Sequence, residues 1–145
     1  MGKLLLLNGP NLNRLGKREP DIYGKETLKD VEQNVRREIE SFSFTLDAKQ
    51  SNHEGQLIDW IHDAEAAYDG IIFNPGAYTH TSIAIRDAIS SITVPVIEVH
   101  ISNVHKRETF RHTSLLAPVC EGQIVGLGIH GYELAAKYLV NKKGE

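Results

Sequence analysis

The run Pro95-Val96-Ile97-Glu98-Val99-His100 places a carboxylate and an imidazole two residues apart. If the run is a strand, both side chains leave on the same face and can meet. A carboxylate beside an imidazole fixes the tautomer of the ring and favours its protonated form, which keeps a proton ready for donation near neutral pH. The adjoining Ile101-Ser102-Asn103 adds backbone amides and a hydroxyl, a set that suits a carboxylate or phosphate oxygen. A second group, Arg14, Lys17, Arg18 and Tyr23, falls within one loop near the start of the chain. A free phenol is only about 0.1% ionised at pH 7. A guanidinium a few ångströms away raises that fraction, so an arginine–tyrosine pair on a mobile lid makes a strong base when the lid closes. Each feature also has a plainer reading: a strand-end histidine with an unrelated glutamate, and an aromatic ring packed at a loop's edge.

Other residues point away from several chemistries. Cys120 is the single cysteine, which leaves no intramolecular disulfide framework and no Cys-x-x-Cys knuckle and fits a reduced, cytoplasmic setting. His53 and His62 form no His-x-x-x-His pair, so no metal site is expected. His105, His112 and His130 read as polar-surface or supporting residues. Gly126-Leu127-Gly128-Ile129-His130-Gly131 matches G-x-G-x-x-G. Too little chain follows it for a βαβ unit, and no acidic residue stands about 20 positions on, so a tight strand-to-helix turn is expected there. Neither a Walker A lysine motif nor G-x-S-x-G occurs. A formal net charge of −3 gives no basic field for nucleic acid or an anionic membrane. Placed arginines would have to hold an anionic ligand against the overall sign.

These side chains need a scaffold. With 145 residues, 41% hydrophobic and 24% charged, the chain is expected to form a single domain over 1–145. It is too short for a (β/α)₈ barrel of about 250 residues. Leu4 to Leu7, closed by Asn8-Gly9-Pro10, reads as a strand buried on both faces rather than a signal sequence, and no stretch approaches the about 20 apolar residues of a membrane span. A structureless loop is expected over Gly9 to Gly24. A helix capped by Thr27, with Asp30 three residues on, carries the stripe Leu28, Val31, Val35 and Ile39. Phe44 to Leu46 is a short second strand. A second helix opens near Asn52 to Glu54 and carries Leu57, Ile58, Ile61 and Ala64. Gly70 to Phe73 is a third strand, followed by a helix capped by Thr79 or Thr81 and bearing Ile85, Ala88 and Ile89. Pro95 to Val99 is a fourth strand, and a polar stretch runs from Ser102 to Thr113. A fifth strand lies between Leu116 and Val125, interrupted at Gly122. Leu134, Ala135, Tyr138 and Leu139 mark a last helix before a solvated Lys142-Lys143-Gly144 tail. This alternation predicts an α/β fold, a flavodoxin-like doubly wound five-stranded parallel sheet of order 2-1-3-4-5.

In such a sheet a ligand sits outside the carboxyl ends of the strands, near the switch between the first and third. The segments leaving those ends are Asn8 to Gly24, Asn74 to Thr81 and His100 to His112. They gather Asn11, Arg18, Tyr23, Asn74, His80, His100, Ser102, Arg107 and Arg111, the asymmetry of a site carried on a scaffold.

The most specific blocks are Leu7-Asn8-Gly9-Pro10-Asn11-Leu12-Asn13-Arg14-Leu15-Gly16 and Arg18-Glu19-Pro20 through Tyr23-Gly24. Two more are Asn74-Pro75-Gly76 with Thr79-His80-Thr81-Ser82, and Glu98 to Asn103 with Arg107 and Arg111. In this order, and nearly end to end, the chain resembles the type II 3-dehydroquinases of the shikimate pathway. The resemblance implies anti elimination of water from 3-dehydroquinate through an enolate, the third step of that pathway, without metal or cofactor. It implies Tyr23 as the base at C2, assisted by Arg18, with Asn11 holding a water at the enolate oxygen. His100, oriented by Glu98, would protonate the departing C1 hydroxyl. Ile101 and Ser102 would bind the substrate carboxylate, and Asn74, His80 and Arg111 the ring hydroxyls. Asp87 would reach in from a neighbouring subunit of a dodecamer built as four trimers. The chemistry is coherent. Removing a proton beside a ketone needs a base with a stabilised enolate, and hydroxide leaves only when protonated, so acid and base come from separate loops. A non-catalytic module binding a nucleotide through Gly126 to Gly131 would leave Tyr23, Glu98 and His100 without a task. A phosphate-handling enzyme would show itself by dependence on magnesium.

Overall fold

Leu4, Leu5, Leu6 and Leu7 are all fully buried, with alternate side chains entering two separate cores. A strand can be apolar on both faces only if layers cover both, and this one lies inside such a sheet. The computed structural model describes residues 1–144. β1 (Gly2–Asn8) pairs in parallel with β2 (Phe44–Gln50) on one side and β3 (Gly70–Asn74) on the other. β4 (Val96–His100) and β5 (Gly122–Val125) complete the sheet, whose order is β2-β1-β3-β4-β5. The fold is the flavodoxin-like α/β arrangement that the alternation of elements predicts.

The loop expected to be structureless between Gly9 and Gly24 is not so. It holds a 3₁₀ turn at Leu12–Arg14 and a one-turn helix, α1 (Pro20–Tyr23), and buried Leu12 and Leu15 tie it to the core. Proline at the first helical position has no amide to leave unbonded, which favours the start of α1 there. α2 (Leu28–Glu40) opens on Thr27 as expected. The Thr27 hydroxyl accepts from the Asp30 amide at 3.3 Å, and the Asp30 carboxylate accepts from the Thr27 amide at 2.9 Å. Such a reciprocal cap stabilises a helix by about 1 kcal/mol. Val31, Val35 and Ile39 bury its inner face.

α3 (Glu54–Ala67) and α4 (Ile83–Ser90) cover the other face of the sheet with Leu57, Ile61, Ala64, Ile85, Ala88 and Ile89. Neither Thr79 nor Thr81 caps α4. Ser82 does, accepting from the Ile85 amide at 2.9 Å, while residues Gly76–His80 form a 3₁₀ turn that withdraws both threonines from the helix.

Three boundaries differ from expectation for identifiable reasons. β2 continues through Asp47 and Lys49 because it is the sheet's edge. Tyr68 donates to Asp47 at 2.6 Å and Lys3 pairs with it at 3.0 Å, so the charge is accommodated. Gly122 does not interrupt the fifth strand but begins it, after a 3₁₀ turn at Ala117–Val119. α5 (His130–Lys143) runs through the lysines expected to lie in a solvated tail, which are exposed as expected but helical. Lys142 pairs with Glu121 at 2.8 Å and Lys143 with Asp69 at 2.7 Å. Among the described residues no helix is long and apolar enough to cross a membrane.

Candidate active site

The register brings Asn8 of β1 opposite Asn74 of β3 at the carboxyl edge of the sheet. Tyr132 of α5 joins them, donating to Asn8 Oδ1 at 2.7 Å and accepting from Asn74 Nδ2 at 2.8 Å. Burial pushes the Tyr132 phenol well above its ordinary range, so it stays a neutral bridge. Asn74 Oδ1 accepts the Gly76 amide at 3.1 Å, leaving one N–H of its carboxamide for the cleft. Gly9 must be glycine here, because a Cβ would come within 2.6 Å of the Pro75 carbonyl.

Above this edge lies a cleft of about 170 Å³, lined in part by Asn11, Arg18, Tyr23, Asn74, His80, His100, Ile101, Ser102 and Arg111. All three segments named from the sequence meet in it. Two site residues from the sequence stand apart. Glu98 is fully buried behind the wall. Asp87 is exposed on α4 and lines no part of the cleft within this chain.

The acid-capable side of the cleft is rigidly held. Glu98 and His100 share a face of β4, and His100 Nε2 lies 2.5 Å from Glu98 Oε2. Burial alone would raise the Glu98 carboxyl, but hydrogen bonds from His100, Thr79 and Ser114 outweigh it and hold the carboxyl below the usual carboxylate range. The G-x-G-x-x-G turn braces this strand end. The Gly126 amide donates to the His100 carbonyl and the Gly128 amide to the Ile101 carbonyl, both at 3.1 Å. Those amides are committed to β4, so the turn is the strand-to-helix connection the sequence predicts.

The opposite side is more exposed. Asn11 sits in the left-handed region at φ 71° and is exposed, its amide held by Asn52 Oδ1 at 3.0 Å. Tyr23 is half-buried, and here the geometry departs from the expected pairing. The Arg18 guanidinium lies over the Tyr23 ring, 4.6 Å from its centroid, and not at its oxygen. Arg107 reaches the oxygen, donating to the Tyr23 hydroxyl at 2.6 Å and to Ser102 Oγ at 3.3 Å. Arg107 is one of the polar groups at the strand ends, and its sequence position alone assigns it no role. Its separation from Tyr23 by 84 positions hides the contact from local spacing. Arg111 is braced by Glu108 at 3.1 Å, and His80 Nδ1 lies 2.8 Å from the Thr113 carbonyl.

Arranged this way, the cleft sets a phenol with a guanidinium on its oxygen and an imidazole with a carboxylate behind it around one small space. Polar groups from three loops stand between them. That arrangement suits proton removal at one atom and proton delivery at another of one small polar molecule. Among the described residues no three or more His, Cys, Asp or Glu side chains converge as metal ligands would.

Comparison with known proteins agrees with this architecture. The family model for Dehydroquinase class II matches residues 2–140. A protein named 3-dehydroquinate dehydratase from Bacillus pumilus (strain SAFR-032) is 62% identical over 144 residues, covering 99% of this chain and 98% of its own. The crystal structure of type II dehydroquinase from Butyrivibrio crossotus DSM 2876 superposes with a TM-score of 0.92 at 51% identity, covering 95% of this chain and 97% of that one. That from Propionibacterium acnes gives a TM-score of 0.92 at 40% identity, covering 97% of each.

Proposed function

The chain belongs to the class II dehydroquinase family, and from that premise we propose that it eliminates water from 3-dehydroquinate to give 3-dehydroshikimate. The observation that carries this reading is the Arg107 to Tyr23 hydrogen bond of 2.6 Å in the same cleft as the Glu98–His100 pair. The cation on the phenol oxygen supports the negative charge a base must carry, and Tyr23 removes the proton at C2. Arg18, stacked on the ring face, adds a second positive charge beside it. The enolate oxygen is met by a water held at Asn11. His100 donates Nε2–H to Glu98, so Nδ1 is the nitrogen that delivers a proton to the C1 hydroxyl. Carbon–oxygen cleavage then releases water and leaves the conjugated enone. Ile101 and Ser102 receive the substrate carboxylate, and Asn74, His80 and Arg111 hold the hydroxyls.

The reaction so written needs neither metal nor cofactor, and the enzyme would serve the third step of the shikimate pathway in the cytoplasm. We further propose assembly as a dodecamer of four trimers. The exposure of Ile83 and Asp87 on the outer face of α4 supports it, because Asp87 can reach a cleft only in another copy. The test is an ultraviolet assay of enone formation from 3-dehydroquinate. Appearance of the conjugated absorbance with wild-type protein is expected, and its absence under conditions where the protein is folded overturns the assignment.

A further inference from the structure

Glu98 has no exposed surface, yet it sits in a ring of donors that favours its charged form. Behind the His100 contact, two hydroxyls converge on the same carboxylate. The Thr79 hydroxyl donates to Oε2, and the Ser114 hydroxyl lies 3.0 Å from both oxygens. Ser114 must act as a donor. Its oxygen already accepts the Leu116 amide at 3.1 Å and the Ala117 amide at 2.9 Å. With both acceptor positions filled, the hydroxyl can only donate, either to a Glu98 oxygen directly or to Thr79 Oγ1, also 3.0 Å away, whose own proton goes to Glu98. Two backbone amides are thus relayed through one hydroxyl onto a buried carboxylate, where such charge-assisted bonds are strong. Thr79 itself is fixed by its turn, its carbonyl accepting the Leu115 amide at 2.7 Å.

We propose that Thr79 and Ser114 are positioning residues for the dehydration. They hold Glu98 as an anion turned toward His100, so that the proton shared by that pair resides on the imidazole. This inference rests on the assignment of His100 as the acid in the proposed function. A buried Glu–His pair can carry its one proton on either partner, and only the imidazolium form can protonate a departing hydroxyl. Taking either hydroxyl away makes the carboxylate costlier in its buried setting and shifts the proton toward Glu98. The pair then keeps its proton but in the unproductive place. The other titratable groups around the cluster do not supply an alternative. Burial, then the Glu98 charge, pushes the Cys120 thiol up to about 12. His80, His105, Arg111 and His112 line an adjoining cavity of about 160 Å³ that shares His80, His100 and Arg111 with the cleft, and none of the four donates to Glu98.

The test compares Thr79→Val, Ser114→Ala and the hydroxyl-retaining Thr79→Ser with wild type. Measured are kcat, KM, the basic limb of the kcat–pH profile and the ring ¹⁵N resonances of His100. For Thr79→Val and Ser114→Ala we expect kcat to fall about tenfold with KM little changed. Their basic limb should move to higher pH, and the ring resonances should shift from the imidazolium pattern toward the neutral one. Thr79→Ser should stay close to wild type, because it keeps the proton and creates no clash. Folded Thr79→Val with wild-type kcat, pH limb and ring resonances overturns the proposal. So does a Thr79→Ser that falls as far as Thr79→Val, since the methyl and not the hydroxyl would then matter. Failure of wild-type protein to dehydrate 3-dehydroquinate is a separate result that overturns the function and leaves the ¹⁵N comparison to judge the Glu98 pair alone.

Discussion

The two sides of the cleft are built on opposite principles. His100 and Glu98 stand on β4 in the middle of the sheet half that ends at β5, with the Gly126 and Gly128 amides clamping the strand end and three side chains holding one carboxylate. Tyr23 stands on a single helical turn inside a surface loop, half-buried, with its oxygen held by one arginine from a distant segment. A proton donor that must release its proton at one place gains from a fixed geometry. A base that must approach a substrate only after it has entered gains from a support that can move. The loop's two non-glycine residues in the left-handed region, Asn11 and Glu19, belong to this second side.

The contrast can be broken most sharply at Tyr23. Tyr23→Phe keeps the ring between its two guanidinium groups but removes the oxygen, and kcat should fall at least about a hundredfold while circular dichroism stays unchanged. Near-normal turnover would take Tyr23 out of the chemistry. A smaller effect separates the two arginines. Arg107→Lys loses the hydrogen bond to the phenol oxygen and should lower kcat about tenfold, whereas Arg18→Lys keeps a cation over the ring and should lose less. The reverse ranking would contradict the assignment of Arg107 to the oxygen. Closure of the base side over a ligand is tested by limited proteolysis between Gly9 and Gly24. Cleavage there should slow when a substrate analogue is added, and unchanged sensitivity would count against closure.

The fixed character of the acid side shows in stability. Because Glu98 is held below the usual carboxylate range, its charge stabilises the fold above the unfolded value of about 4.3. That contribution is lost as pH falls through the lower folded value. Urea unfolding below about pH 4.3 should therefore weaken more steeply in wild type than in Glu98→Gln. Equal slopes would mean that the buried carboxylate contributes nothing to acid stability. The smallest expected effect is none at all: chelator should leave activity unchanged, and loss of activity with rescue by one metal would overturn the metal-free reaction.

How legible each side was from sequence follows from the same contrast. The sheet order came through because Leu4 to Leu7 and Gly70 to Phe73 are apolar on both faces, and Glu98–His100 because a strand puts alternate residues on one face. Thr27 was readable as a cap from Asp30 three positions on. Ser82 was not, because Thr79 and the adjacent Thr81 offered the same chemistry, and the 3₁₀ turn that holds Thr79 and ends on Thr81 has no local signature. The second half of β2 and the end of α5 were hidden by charges whose partners, Tyr68, Glu121 and Asp69, are distant in the chain. The Arg107–Tyr23 and Ser114–Glu98 contacts were hidden for the same reason: spacing reports which side chains share an element, not which loops meet.

The division of labour across the cleft is tested most directly by hydrogen exchange at C2 of 3-dehydroquinate in deuterated water, followed by NMR with the His100→Ala and Tyr23→Phe variants. With base and acid on separate sides, His100→Ala should still exchange the C2 proton while failing to release water, and Tyr23→Phe should do neither. Exchange abolished as completely in His100→Ala as in Tyr23→Phe would contradict it.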